Sequence, residues 1–348
     1  MRLSTSDRLA VLLHDGILTS QGKTGLALLR YSAAQPVAVI DRQTAGQNLE
    51  ALTGIAASAP IVDSVQAALA HQPTVLAIGI APSGGALPPE WRQEIRAAIA
   101  AGVSILNGLH TPLATDPEFQ GLLRPGQQIW DVRQEPPGLR TGTGQARSLP
   151  CQRVLAVGTD MGVGKMSTTL ELHRQAQKRG LRSKFIATGQ AGLMIAGEGV
   201  ALDAVRVDFA AGAVEQAVIQ AAPDQDILWV EGQGSLLHPA STATLPLMRG
   251  AQPTHLVLVH RAGQDHLRNF PDLLIPPLPE VVPLYETLAA GAGLFGHPRV
   301  AAIALNTAHL DEPAAQLAIA VVRAKTGLPC TDPVRFGADE LLDAFLQG

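Results

Sequence analysis

Two cysteines in 348 residues, Cys151 and Cys330, are too few and too far apart for a disulfide framework, and they match no metal-ligand spacing. A reducing compartment, the cytoplasm, is the expected location. Runs of Lys or Arg are absent and the formal net charge is −4, which argues against a nucleic-acid surface. No apolar run reaches the roughly 18 residues of a membrane helix, and Leu9 to Leu13 is shorter than a signal-peptide core. No membrane partner is expected. Ten histidines contain no H-E-x-x-H, and His260 and His266 are too far apart for one helical face, so no metal site is expected. No G-x-S-x-G elbow or catalytic cysteine context supports covalent acyl transfer. The G-x-G-x-x-G fingerprint is missing although Asp41 ends the apolar run Val37 to Ile40, which argues against a nicotinamide enzyme.

What the chain does hold is 46% hydrophobic residues with only 3% aromatics, an aliphatic composition large enough for about two domains. Low charge with much Ala and Leu suits a homo-oligomer. Apolar strand-like runs alternate with helical patterns in both halves, which is the βαβ logic of parallel sheets. Strands are expected at Leu9 to Leu13, Pro36 to Ile40, Thr74 to Ile80, Val103 to Leu106, Val154 to Val157, Ser183 to Ala187, Ile227 to Val230, His255 to Val259 and Val300 to Leu305. Helices are expected at Pro89 to Ala101, on to Arg179 after the glycine loop, and around Ala210 to Ala221, Glu280 to Ala290, Glu312 to Lys325 and Ala338 to Phe345. The polar, Pro/Gly-rich stretch after Gln134 reads as a linker. The expected organisation is therefore two doubly wound α/β domains at 1–135 and 151–348, joined by 136–150.

The sharpest motif follows Val154 to Val157: Gly158, Thr159, Asp160, Met161, Gly162, Val163, Gly164, Lys165, Met166, Ser167. A strand, a glycine-rich loop and a helix start turn backbone N–H groups, a helix dipole and the Lys165 ammonium toward phosphate oxygens. The usual motif places Ser or Thr after the lysine to hold Mg²⁺, and Met166 stands there instead; a thioether is a poor ligand for that cation. Ser167 lies roughly 100° further round the helix. This loop is suited to gripping phosphates without hydrolysing them.

A second element is the strand Ile227 to Val230 ending in Glu231, followed by Gly232, Gln233, Gly234, Ser235 and His238. An acid at that position manages a metal or a proton, and a histidine near it is suited to general-base chemistry. Between the two motifs lie the small-residue loop Ala187-Thr188-Gly189-Gln190-Ala191-Gly192 and the acids Asp203 and Asp208, at the binding edge of an open sheet. Asp208 reads equally as a helix-start acid. The N-terminal half holds a fainter echo, Gly16 to Gly22 followed by Lys23-Thr24, for which a second anion site competes with a simple turn. The later strand Thr74 to Ile80 runs into Ala81-Pro82-Ser83-Gly84-Gly85 without an acid.

The loop G-T-D-M-G-V-G-K is similar to that of dethiobiotin synthetases, and Asn306-Thr307 resembles their base-contacting Asn segment. Read together with Thr188-Gly189-Gln190, Leu202 to Val205, Asp208-Phe209, Gly212 to Glu215, Glu231 to Ser235, His238-Pro239 and Thr326 to Pro329, the chain resembles the DgcN-type D-glutamate N-acetyltransferase family, long catalogued as a domain of unknown function. The resemblance implies a Rossmann-like N-terminal domain before a P-loop NTPase-like domain, and transfer of acetyl from acetyl-CoA to the amine of a D-amino acid such as D-glutamate. Coenzyme A carries phosphates that a glycine loop and a lysine hold without Mg²⁺. The resemblance does not fix the catalytic roles; the residues themselves suggest Glu231 or His238 as the base and the backbone N–H groups of Gly232 to Ser235 for the oxyanion. Thr188, Gln190, Asp208 and Gln233 line the acceptor side, with Arg261, Arg268 or Arg249 for its carboxylates. The competing reading is an ATP and Mg²⁺-dependent ligase or kinase of dethiobiotin-synthetase type, with Lys165 on the phosphates and Asp160, Asp208 and Glu231 around the metal.

Overall fold

The computed structural model describes residues 2–80 and 85–347. The chain divides into two compact units, Met1–Gln134 with Gln190–Ala201, and Glu135–Gly189 with Leu202–Gly348. The segment Ala81 to Gly84 falls outside the described residues.

The first unit carries a six-stranded parallel sheet ordered β3-β2-β1-β4-β5-β6. Its strands are β1 (Arg8–Leu12), β2 (Gln35–Ile40), β3 (Ile61–Val62), β4 (Val75–Ile78), β5 (Ser104–Asn107) and β6 (Ile129–Asp131). The helices are α1 (Lys23–Tyr31), α2 (Leu49–Thr53), α3 (Val65–Ala68), α4 (Trp91–Ala100) and α5 (Pro117–Gln120). This strand order is that of a doubly wound dinucleotide-type fold, with its switch point between β1 and β4. Helix α1 reaches the sheet closely because Gly25 carries no side chain: a Cβ there would lie 2.8 Å from both Leu13 and Val11 side chains. The echo loop after β1 closes as a turn, Gly22 lying so near the Gly16 carbonyl that a Cβ would come within 2.3 Å of it. Asp41 at the end of β2 is buried and accepts hydrogen bonds from the Asp15 N–H at 2.9 Å and the Thr44 hydroxyl at 2.5 Å.

The second unit carries another six-stranded parallel sheet, ordered β14-β13-β10-β7-β9-β8. In chain order its elements are β7 (Gln152–Gly158), α6 (Lys165–Lys178) and β8 (Ser183–Ile186), after which α7 (Gln190–Ala196) belongs to the first unit. There follow α8 (Val207–Ala221), β9 (Ile227–Val230), α9 (Thr244–Ala251), β10 (His255–Arg261), a hairpin of β11 (His266–Leu267) and β12 (Phe270–Leu274), then α10 (Leu278–Ala290), β13 (Arg299–Asn306), α11 (Glu312–Thr326), β14 (Cys330–Thr331) and α12 (Asp339–Leu346). Strands buried on both faces read as continuous apolar runs, which is why β7, β9 and β10 were legible. One sheet face packs Val154, Ala156, Trp229 and Val257 under Leu172 and Ala176 of α6 and Leu341, Leu342 and Phe345 of α12. Trp229 meets Phe345 edge to face at 5.4 Å and donates its indole N–H to Ser183 Oγ at 2.9 Å, so its polar atom is satisfied inside the core.

The α/β class with two parallel sheets stands as expected. Two local expectations are corrected. The small-residue stretch after Gly189 is a helix from Gln190 to Ala196, closed by Gly197 in the left-handed region. The stretch 136–150 packs inside the second unit, where Glu215 of α8 accepts the N–H and hydroxyl of Thr143 at 2.6 and 2.9 Å and glycine at 212 leaves room for the Arg140 carbonyl.

Candidate functional site

The C-terminal edge of the second sheet gathers the chemistry. β7 sits between β10 and β9, so the loop it feeds opens at the centre of that edge. Gly162 at φ 70° and Gly164 at φ 117° occupy the left-handed region that lets consecutive backbone N–H groups turn inward. α6 begins at Lys165 with no side chain capping it, which leaves its first N–H groups and its positive end toward the loop. Lys165 is buried and folds back to donate to the Asp160 carbonyl at 2.8 Å. Glycine at 232 is obligatory here, since a Cβ would lie 1.8 Å from the Ala156 carbonyl and 2.8 Å from Lys165 Cδ.

Several side chains of the loop and of the elements around it have definite partners. Thr159 is buried against His260, its hydroxyl 2.9 Å from Nδ1, and burial pushes the His260 imidazole down to about 4. Val163 packs into the core while its carbonyl accepts from Asn306 Nδ2 at 3.0 Å, and Asn306 Oδ1 accepts the Ala308 N–H at 3.1 Å. Asn306 therefore braces the loop from the end of β13. Thr169 returns a hydrogen bond to the Lys165 carbonyl at 2.6 Å. Met166 and Ser167 are half-buried on the first turn of α6.

Asp160 is completely buried and its carboxylate faces protein donors. Oδ1 accepts the Met161 N–H at 2.6 Å; Oδ2 accepts Gln264 Nε2 at 2.6 Å and the Arg268 N–H at 2.7 Å. It ties the residues on both sides of β11 to the phosphate loop. His238 Nε2 lies 3.9 Å from Oδ1, and His238 Nδ1 accepts the Ala240 N–H at 3.1 Å, which assigns the ring proton to Nε2. Phe270 closes on the ring edge to face at 5.2 Å. In this tautomer His238 offers a proton toward the loop.

Glu231 ends β9 in full burial. Its Oε2 accepts the backbone N–H groups of Thr188 at 2.8 Å and Gly189 at 3.1 Å, and its Oε1 accepts from Gln233 Nε2 at 3.2 Å. Thr188 also donates its hydroxyl to the Glu231 carbonyl at 2.7 Å, so the loops after β8 and β9 form one piece. Loss of hydration pushes the Glu231 carboxyl from 4.5 up to about 7; the Thr188 and Gly189 N–H groups and the Lys165 charge pull against that, and Asp203 adds to it. A carboxyl poised near neutrality is chemically able to accept or release a proton at neutral pH.

Tyr285 of α10 holds the two loops from below. Its hydroxyl donates to the Gly158 carbonyl at 2.6 Å and accepts the Leu236 N–H at 3.1 Å. No spacing in the sequence signalled this; the only cue is a polar-tipped aromatic in a helix of mixed composition. The Ser235 N–H, expected to face an oxyanion, donates to Ser241 Oγ at 2.9 Å.

The remaining expected residues are scattered. Arg261 is exposed at the end of β10, in register with Asn306. Asp208 is an exposed acid in the first turn of α8 beside Arg206, which is the helix-start role. Gln190 opens α7 in the first unit. Arg249 is committed to the Leu288 carbonyl at 3.1 Å and stacks over Phe295. Among the described residues no three His, Cys, Asp or Glu side chains are grouped to hold a metal ion.

Residues 140–342 match the P-loop domain described as a domain of unknown function, DUF1611_C, and residues 42–135 match the Rossmann-like DUF1611_N. The chain belongs to the DUF1611 family. It is 38% identical over 77% of its length to a protein of Tritonibacter scottomollicae named D-glutamate N-acetyltransferase, covering 80% of that protein. A Pseudoalteromonas protein of the same name is 35% identical over 76% of this chain and 79% of its own. The crystal structure of a DUF1611 family protein from Anabaena variabilis ATCC 29413 superposes with a TM-score of 0.96 at 64% identity, over 99% of this chain and all of that one.

Proposed function

We propose that this DUF1611 protein is a cytoplasmic N-acetyltransferase that moves acetyl from acetyl-CoA to the amine of a D-amino acid such as D-glutamate. The observation that carries the reading is Glu231, a buried carboxyl at about 7 in electrostatic contact with the lysine of a phosphate loop. The names of the two bacterial relatives supply the substrate class.

The residues fit coenzyme A. Gly162 to Lys165 and the uncapped start of α6 receive the pyrophosphate, and acetyl-CoA supplies the activated thioester carbonyl. An amino acid reaches neutral solution as an ammonium, and it attacks only after losing a proton. Ionised Glu231 accepts that proton at Oε1 or Oε2, where the Thr188 and Gly189 N–H groups and Gln233 fix the carboxyl plane. As the C–N bond forms and the C–S bond breaks, the nitrogen's second proton passes to the departing sulfur, toward which the His238 Nε2–H donates a hydrogen bond. Arg261, exposed on the same sheet edge, pairs with an acceptor carboxylate.

Calorimetric titration with acetyl-CoA, and separately with ATP plus Mg²⁺, tests the reading on wild type and Lys165→Ala. Acetyl-CoA binding that survives EDTA and weakens roughly 100-fold or more in Lys165→Ala is the expected result. Binding of Mg·ATP alone overturns it and leaves a phosphoryl-transfer ligase or kinase.

A further inference from the structure

We infer that Arg268 is the second cation of the phosphate site, gripping the pyrophosphate across the loop from Lys165. This rests on the phosphate-loop reading of Gly158 to Lys165, and it holds whether the bound molecule is a coenzyme or a nucleotide.

A pyrophosphate diester brings about two negative charges, and Lys165 balances one of them. In many loops of this kind a hydroxyl after the lysine recruits Mg²⁺ for the rest; Met166 stands there, and both oxygens of Asp160 face N–H donors. A second positive charge from the protein is the remaining way to neutralise the ligand.

Arg268 is placed to supply it. Its backbone N–H donates to Asp160 Oδ2, the oxygen that also accepts Gln264 Nε2, while Oδ1 of the same carboxylate takes the N–H of loop residue Met161. Gln264 continues to the His266 carbonyl at 2.9 Å, so the segment before Arg268 is stapled at two points. One fully buried carboxylate thus fixes the Arg268 backbone to the phosphate loop, and the side chain is left exposed. Among the described residues its guanidinium makes no hydrogen bond or ion pair. Nη1 lies 3.8 Å from the point where a Cβ at Gly162 would stand, and Gly162 has none. Among the described residues no other heavy atom outside Gly162 and its chain neighbours comes within 4 Å of that point, so the guanidinium is the group that faces this turn of the loop. A planar, always-charged fork there binds two phosphate oxygens at once, which a lysine does only as a point charge.

The test titrates wild type, Arg268→Ala, Arg268→Lys and Lys165→Ala with inorganic pyrophosphate, coenzyme A and Mg·ATP. Thermal unfolding is followed for each variant; because the anchor is a backbone N–H, Arg268→Ala is expected to keep its midpoint. Affinity for pyrophosphate and coenzyme A is expected to fall roughly 10- to 100-fold in Arg268→Ala, with partial recovery in Arg268→Lys and no change in KM for D-glutamate at saturating acetyl-CoA. Unchanged affinity for both ligands in Arg268→Ala, or an effect confined to the KM for D-glutamate, overturns the assignment. Wild type that binds Mg·ATP and no coenzyme A removes the transferase reading; Arg268 is then judged on ATP, where weaker binding by the alanine variant supports it and equal binding overturns it.

Discussion

Replacing Glu231 by Gln separates its chemistry from its place in the fold. The amide oxygen can still accept the Thr188 and Gly189 N–H groups, and the Gln233 amide can turn its own oxygen toward the new NH₂, so packing is kept. The proton acceptor is gone, and kcat is expected to fall by about 10²- to 10⁴-fold. Wild-type kcat/KM should drop about tenfold per pH unit below the carboxyl's value of about 7 and level off above it. Stability follows the same group. Folded Glu231 titrates at about 7 against 4.5 when hydrated, so between those values the folded chain holds the extra proton. Its stabilising share is complete below pH 4.5 and declines as pH rises to about 7, by about 3 kcal/mol. Urea unfolding of wild type and variant at pH 5 and pH 8 measures this directly. The gap between them should shift by about 2–3 kcal/mol in the variant's favour at the higher pH. A variant that keeps turnover within a few-fold shows that the base lies elsewhere, and a pH-independent gap shows that the carboxyl titrates in the ordinary range.

Other perturbations probe the frame around it. Tyr285→Phe leaves the Gly158 carbonyl and the Leu236 N–H without their shared partner and should cost about 1–3 kcal/mol, read from the denaturation midpoint. Gly232→Ala drives a methyl to 1.8 Å from the Ala156 carbonyl; little folded protein is expected, and a normal melting curve would contradict the geometry.

What the sequence made legible is what is local. β9 was read to the residue because Ile227 to Val230 is an apolar run bounded by Asp226 and Glu231. The glycine loop and its lysine were visible through spacing alone. Asp160 was marked as a site residue, yet its partners Gln264 and Arg268 lie 104 and 108 residues away and no local pattern announces them. α7 was read as a loop because Gly189, Ala191 and Gly192 are small, and burial of Leu193 and Met194 decides the matter instead. α9 was hidden by Pro246 in its first turn, where a proline is tolerated. The hairpin of β11 and β12 carries Pro271 and mostly exposed residues, so it lacks the alternation of a half-buried strand.

The first unit is not contiguous: its last helix arrives only with Gln190–Ala201, after the chain has run through β7, α6 and β8. On a ribosome adding about 5–20 residues per second, some 67 residues separate Gln134 from Ala201, a wait of roughly 3–13 s. Through that interval the nascent N-terminal sheet stands without α7 against α1, and a gene cut near residue 135 would make that interval permanent.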